Sequence, residues 1–180
     1  MNIKFYKLLI ILAVAGLALA LAVAGVLITQ GNTKNGSSSK SSSEAKEAAP
    51  DFTLVLIKGG NFHLGDYKGK PVLINFFASW CLPCRDEAPT LEKISREYGA
   101  RGVVFVGIAV DDTEEKMKDF MTRYGVTFPV GLDKTSAVQK SFGLYGVPTT
   151  YFIDKQGVIN YFHSGIVTEE LLQHELNKLL

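Results

Sequence analysis

Pro71-Val72-Leu73-Ile74-Asn75-Phe76-Phe77-Ala78-Ser79-Trp80-Cys81-Leu82-Pro83-Cys84 is the stretch that decides the fold. Its first half, through Phe77, is an apolar run that reads as a buried strand. The segment after it, Asp86 to Tyr98, places Leu91, Ile94 and Tyr98 at helical spacing. The motif Trp80-Cys81-Leu82-Pro83-Cys84 thus lies at a strand-to-helix junction and holds both of the chain's 2 cysteines. Cysteines so spaced can be bridged with little backbone movement. The helix N-terminus supplies unpaired N–H groups and a positive dipole end, which favour a thiolate on Cys81. The arrangement implies a redox-active Cys81–Cys84 pair that cycles between dithiol and disulfide.

Two blander readings compete. A structural zinc takes about four ligands, and besides the cysteines there are only His63, His163 and His174, scattered without ligand spacing. No metal is expected. An inert structural disulfide would close too small a loop to remove much chain entropy.

Outward from the motif, the chain falls into three pieces. Leu8 to Ile28 is apolar and uncharged, preceded by a short N-terminus (residues 1–7) with Lys4 and Lys7. It meets the roughly 20 residues a spanning helix needs. A retained anchor is expected; a cleaved signal peptide competes, because Ala20-Leu21-Ala22 and Ala22-Val23-Ala24 offer small-residue sites. Lysines flank the run on both sides, yet a short basic start followed at once by an apolar run is an export layout. Residues 1–7 are therefore placed in the cytoplasm and the C-terminal part outside. Residues 29–50, rich in Ser, Gly, Asn and Lys, form a flexible tether. Residues 51–180 suit one compact domain. The net charge of +1 gives no support to a nucleic-acid partner.

Within that domain, Phe52–Leu56 and Asn61–Leu64 read as a hairpin around Lys58-Gly59-Gly60. A helix is expected from about Cys84 to Tyr98 with Gly99 as its cap, a covered strand over Val103–Val110, and a helix from about Thr113 that stops at Gly125. Phe128-Pro129-Val130 reads as a short edge strand. A short helix over Ser136–Phe142, strands over Thr149–Ile153 and Val158–Phe162, and a closing helix over Glu169–Leu180 complete the series. Strands alternating with helices and a terminal hairpin indicate an α/β domain, with a mixed sheet flanked by helices.

Gly146-Val147-Pro148-Thr149-Thr150 directly precedes a strand. With Trp-Cys-x-Pro-Cys, this Val-Pro-Thr resembles the thioredoxin superfamily. Asp51-Phe52-Thr53-Leu54, Lys68-Gly69-Lys70-Pro71, Asn75-Phe76-Phe77-Ala78-Ser79-Trp80-Cys81 and Arg85-Asp86-Glu87-Ala88-Pro89 resemble its membrane-tethered TlpA/ResA branch, together with the cytochrome c maturation thioredoxins. So does the extra helix-plus-strand over about Thr113 to Val130. The resemblance implies a thioredoxin-like fold with an N-terminal hairpin and that central insert, a cis bond before Pro148, and thiol–disulfide exchange on proteins. It implies Cys81 as nucleophile, Cys84 as resolving thiol, and Trp80, Val147 and Pro148 as the client-binding residues. It further implies a monomer without cofactor, a bacterial membrane location, electrons from a thiol-bearing membrane donor, and disulfide-containing clients, apocytochrome c foremost.

Asn75 stands where thioredoxin has a buried aspartate, and an amide cannot accept a proton. Leu82 replaces the acidic residue of ResA-type motifs, and Pro83 follows it. Glu87 is the nearest remaining carboxylate. It reads as a first-turn helix residue or as an aid to proton transfer. Two other functions compete: a thiol peroxidase, although Ala78 occupies the threonine position of the peroxiredoxin pattern, and a non-catalytic module holding a soft ion such as Cu(I) between the cysteines.

Overall fold

The structure is a computed structural model and describes Glu47–Leu180. The expected N-terminus 1–7, the anchor Leu8–Ile28 and all but the last residues of the 29–50 tether lie outside the described residues. Among the described residues no helix is long and apolar enough to cross a membrane.

Strand β3 (Val72–Phe77) is buried at every position, as its unbroken apolar sequence requires. It pairs in parallel with β4 (Val104–Ala109) and antiparallel with β6 (Thr149–Ile153). The sheet is completed by β5 (Val130–Leu132), parallel to β4, and β7 (Ile159–Ser164), antiparallel to β6, in the order β5-β4-β3-β6-β7. A separate hairpin of β1 (Thr53–Val55) and β2 (Asn61–His63) lies against β5, where Leu56 bridges Gly131. The approach is close: a Cβ on Gly131 would come 2.5 Å from the Val55 carbonyl oxygen. Glycine is the residue that fits.

Side-chain alternation along the strands divides the core into two faces. Ile74, Phe76, Val106, Ile108 and Tyr151 pack under the hairpin and a short helix, α3 (Ala137–Ser141). Leu73, Phe105 and Phe152 pack under α1 (Leu82–Gly99) and α4 (Glu169–Leu179). The insert helix α2 (Glu114–Tyr124) brings Met117, Phe120 and Met121 against Phe77 and both cysteines. Glu92 ties the insert to α1 by accepting from the Thr127 backbone N–H at 2.7 Å and its hydroxyl at 2.6 Å.

The expected elements are all present, with shifted ends. Helix α1 begins at Leu82 rather than Cys84, because Cys81 itself caps it and Pro83 fits its first turn. Gly99 is its last helical residue, not its cap; Ala100 caps it. Strand β5 begins at Val130 rather than Phe128, since Pro129 has no N–H and contributes only its carbonyl, to the Gly107 N–H at 2.8 Å.

His63 at the end of β2 lies between two carboxylates, with Nδ1 2.9 Å from Asp66 and Nε2 2.9 Å from Asp51. The hydrogen bonds to Asp66 and Asp51 raise the imidazole above its usual 6.5. Desolvation resists the fall, yet the same contact leaves Asp51 below its usual 3.8. The histidine's contribution is complete below about 6.5 and fades as pH rises through the raised value. That of the aspartate is present above about 3.8 and fades as pH falls through the lowered one. Wild type should therefore exceed His63→Gln in Tm near pH 5–6, with the gap closing toward pH 8. A gap independent of pH would show that the clamp is not ionic.

Candidate active site

Cys81 is the N-cap of α1, and its Sγ accepts from the Cys84 backbone N–H at 3.2 Å. The sulfur thus already sits where the helix N-terminus presents its free donors. Cys81 and Cys84 are joined by a disulfide with Cα atoms 5.3 Å apart. Both are buried, Cys81 at 4 % and Cys84 at 1 % exposure. Their neighbours are not: Trp80 is 53 % and Leu82 66 % exposed, which makes them the apolar rim of the site. Pro83 lies in the first helical turn.

The loop that delivers Cys81 is held from outside the motif. Asp112 accepts from the Ser79 N–H and hydroxyl, and Arg85 donates to the Ser79 carbonyl through Nε at 2.9 Å and Nη2 at 2.8 Å. The Trp80 indole N–H bonds the Asp111 carbonyl at 3.1 Å. Asp111 adopts φ 49°, a left-handed conformation that aspartate tolerates better than most residues. Asp111 and Asp112 follow the end of the strand beside the motif and precede the helix expected from Thr113, which is the signal the sequence offers for them.

Beneath the disulfide lies a buried polar chain. Strand alternation turns Asn75 to the α1 face, where its Nδ2 donates to Glu87 at 2.9 Å and to the Thr150 hydroxyl at 3.0 Å. The other Glu87 oxygen accepts from the Val167 N–H at 3.0 Å. Glu87 is 1 % exposed, and this corrects the first-turn reading: it sits in the second turn of α1, facing inward. Desolvation pushes its carboxyl up to about 7, against the opposing pull of the Val167 and Asn75 hydrogen bonds. Cys84 and Glu87 are three positions apart on one helix, hence neighbours on one face. Thr150 and Val167 were not legible as parts of this chain.

The Val147–Pro148 bond is cis, as the resemblance implies. Val147 packs against the cluster that contains both cysteines. Ala78 is fully buried and carries no hydroxyl at the peroxiredoxin threonine position. Among the described residues no cluster of His, Cys, Asp and Glu could hold a metal ion.

A Cys-x-x-Cys disulfide whose first cysteine caps a helix beside a cis-proline loop, in this sheet order, defines a thioredoxin-like thiol–disulfide oxidoreductase. The model of the AhpC/TSA family matches residues 45–162. The chain is 38 % identical over 133 residues to the thioredoxin-like protein YneN of Bacillus subtilis, covering 73 % of this chain and 78 % of that one. It is 34 % identical over 136 residues to the thiol-disulfide oxidoreductase ResA of Bacillus thuringiensis, covering 76 % and 79 %. A crystal structure of a thioredoxin-family thiol:disulfide interchange protein from Chlorobium tepidum matches with a TM-score of 0.66 and 30 % identity, covering 73 % of this chain and 97 % of that one. The chain belongs to the AhpC/TSA family, in the ResA/TlpA-type branch of the thioredoxin superfamily.

Proposed function

We propose that the protein is a membrane-tethered reductase of client disulfides on the extracytoplasmic side of a bacterial membrane. The observation that carries this is the placement of Cys81 at the helix cap, with Cys84 buried next to Glu87. In the reduced protein the Cys81 thiolate attacks one sulfur of a client disulfide, and the other client sulfur leaves as a thiolate. The Glu87 carboxylate takes the proton of Cys84, whose thiolate then attacks the Cys81 sulfur. The Cys81–Cys84 disulfide forms and the second client sulfur departs. Two electrons pass to the client, and a membrane dithiol donor returns them by the reverse exchange. Trp80, Val147 and Pro148 border the client's backbone, while Leu82, Pro83 and Asn75 shape and support the motif. Apocytochrome c is the favoured client, in keeping with the resemblance to the cytochrome c maturation thioredoxins, and the protein acts as a monomer.

The deciding experiment is to label intact cells. Leu8–Ile28 retained as an anchor should leave the protein in the membrane fraction, with Cys81 open to a thiol reagent that cannot cross the bilayer. Labelling only after lysis would reverse the orientation. Recovery of heme-deficient c-type cytochrome, trapped on a Cys84→Ser variant, would identify the client.

A further inference from the structure

Strand β7 is one edge of the sheet, and among the described residues the chain before β1 pairs along its start. Its first residue donates to the Glu47 carbonyl (Ile159 N–H, 2.8 Å), Ala49 donates to Gly157 at 2.9 Å, and Ala48 bridges Val158 in antiparallel register. This edge therefore already accepts an extended chain. Gly165 donates across to the Pro148 carbonyl at 2.9 Å. Alternation of the ladder from that pair turns the backbone N–H and C=O of Phe162 and Ser164 away from β6. Among the described residues they have no backbone partner.

Below this open stretch runs a groove of about 800 Å³ lined by Phe142, Tyr145, Thr149, Tyr151, Phe162 and Ser164. The Phe162 ring, 56 % exposed, stacks on Tyr151 at 5.6 Å, and Tyr145 is fully exposed. A free edge beside exposed aromatics is an uncommon surface for a protein to leave bare. Its far end is Ser164, paired with Thr149, the residue after the cis-proline. One strand spacing, about 5 Å, separates that end from the strand the cis-proline leads into, so a chain added outside β7 would lie about 10 Å from it. Through Thr149 and Ser164 the groove ends beside the cis-proline loop.

We propose that this edge and its aromatic groove dock the polypeptide flanking a client's reacting cysteine, as an added antiparallel strand with apolar side chains. The inference rests on the reading of Cys81 as the attacking thiol. The direction follows from Glu47–Ala49: client residues C-terminal to the cysteine run from Ser164 toward Phe162. Main-chain hydrogen bonds supply register, and alternate side chains fill the groove.

The test uses the reduced full-length protein and three disulfides of 5-thio-2-nitrobenzoate. One is the free reagent; one carries a peptide with valine and tyrosine alternating after its cysteine; one carries the same peptide with serines in their place. Each turnover oxidises the Cys81–Cys84 dithiol and reduces the disulfide to two thiols, so the absorbance of the released thionitrobenzoate counts reactions. The apolar peptide should react about tenfold faster than the serine peptide, the scale of one buried apolar side chain. Tyr145→Ser with Phe162→Ser should erase that preference and leave the free reagent's rate unchanged. Should the variant misfold, N-methylating alternate amides of the apolar peptide gives the same loss on wild type. Equal rates for the two peptides on wild type, as expected if the chain's own tether or a second copy covers the edge, overturn the docking proposal alone. Failure with all three disulfides overturns the reading of Cys81.

Discussion

Cys81→Ser should bring disulfide reduction to the uncatalysed level, and Cys84→Ser should turn the protein into a trap. A serine hydroxyl cannot attack a disulfide, so the first change removes the reaction altogether. The second leaves the attack intact and removes the exit: client stays bonded to Cys81 because no neighbouring thiol can displace it. The two variants therefore look alike by insulin turbidity and opposite on a non-reducing gel. Mixed disulfides should accumulate with Cys84→Ser and be absent with Cys81→Ser. The structure motivates the order of roles, since Cys81 lies nearer the exposed rim of Trp80 and Leu82, whereas Cys84 faces Glu87 and the core. Trapping by Cys81→Ser instead would exchange the roles.

Glu87→Gln should slow exchange about a hundredfold, the lower range for losing a positioned acid–base group. The limb of the pH–rate profile near 7 should vanish with it. The same substitution has a stability signature that a purely structural residue would not give. Burial raises the carboxyl from 4.5 to about 7, so between those values the native protein holds a proton that the unfolded chain has released. Wild-type stability then falls as pH rises through that window, by about 3 kcal/mol in total. Glutamine has no proton to lose and lacks the slope, although it must present an amide N–H₂ to one of the two donors, Asn75 or Val167, that the carboxylate accepts from. Urea unfolding of both oxidised proteins at pH 5 and pH 8 measures the difference. Parallel behaviour at the two pH values would mean that Glu87 does not titrate in the native state.

What the sequence discloses here is what is local in the chain. The strand, the capped helix and the cysteine spacing are contained in Pro71–Tyr98, and the shifted start of α1 follows from side-chain capping by Cys81. Glu87 is legible only as a nearby carboxylate, because its burial depends on Asn75 from β3 and on Val167, 80 positions away. Asp112 reaches Ser79 across 33 positions and likewise leaves no periodic trace. Phe162 and Tyr145 leave no trace of their exposure either, because it depends on β7 falling at the end of the sheet order.

The two rims of the sheet are unequal in a way that bears on self-association. On the β5 side, Leu56 bridges Gly131 and the Ile57 N–H bonds the Val130 carbonyl at 2.8 Å, so the hairpin closes that rim. Among the described residues, the β7 rim is the edge of this five-stranded sheet left partly open. A contact between two identical rims consumes both, leaving no surface on which a third molecule could add. Fibrils that grow by sheet extension need two free rims per molecule, so concentrating the folded protein should lead no further than pairs.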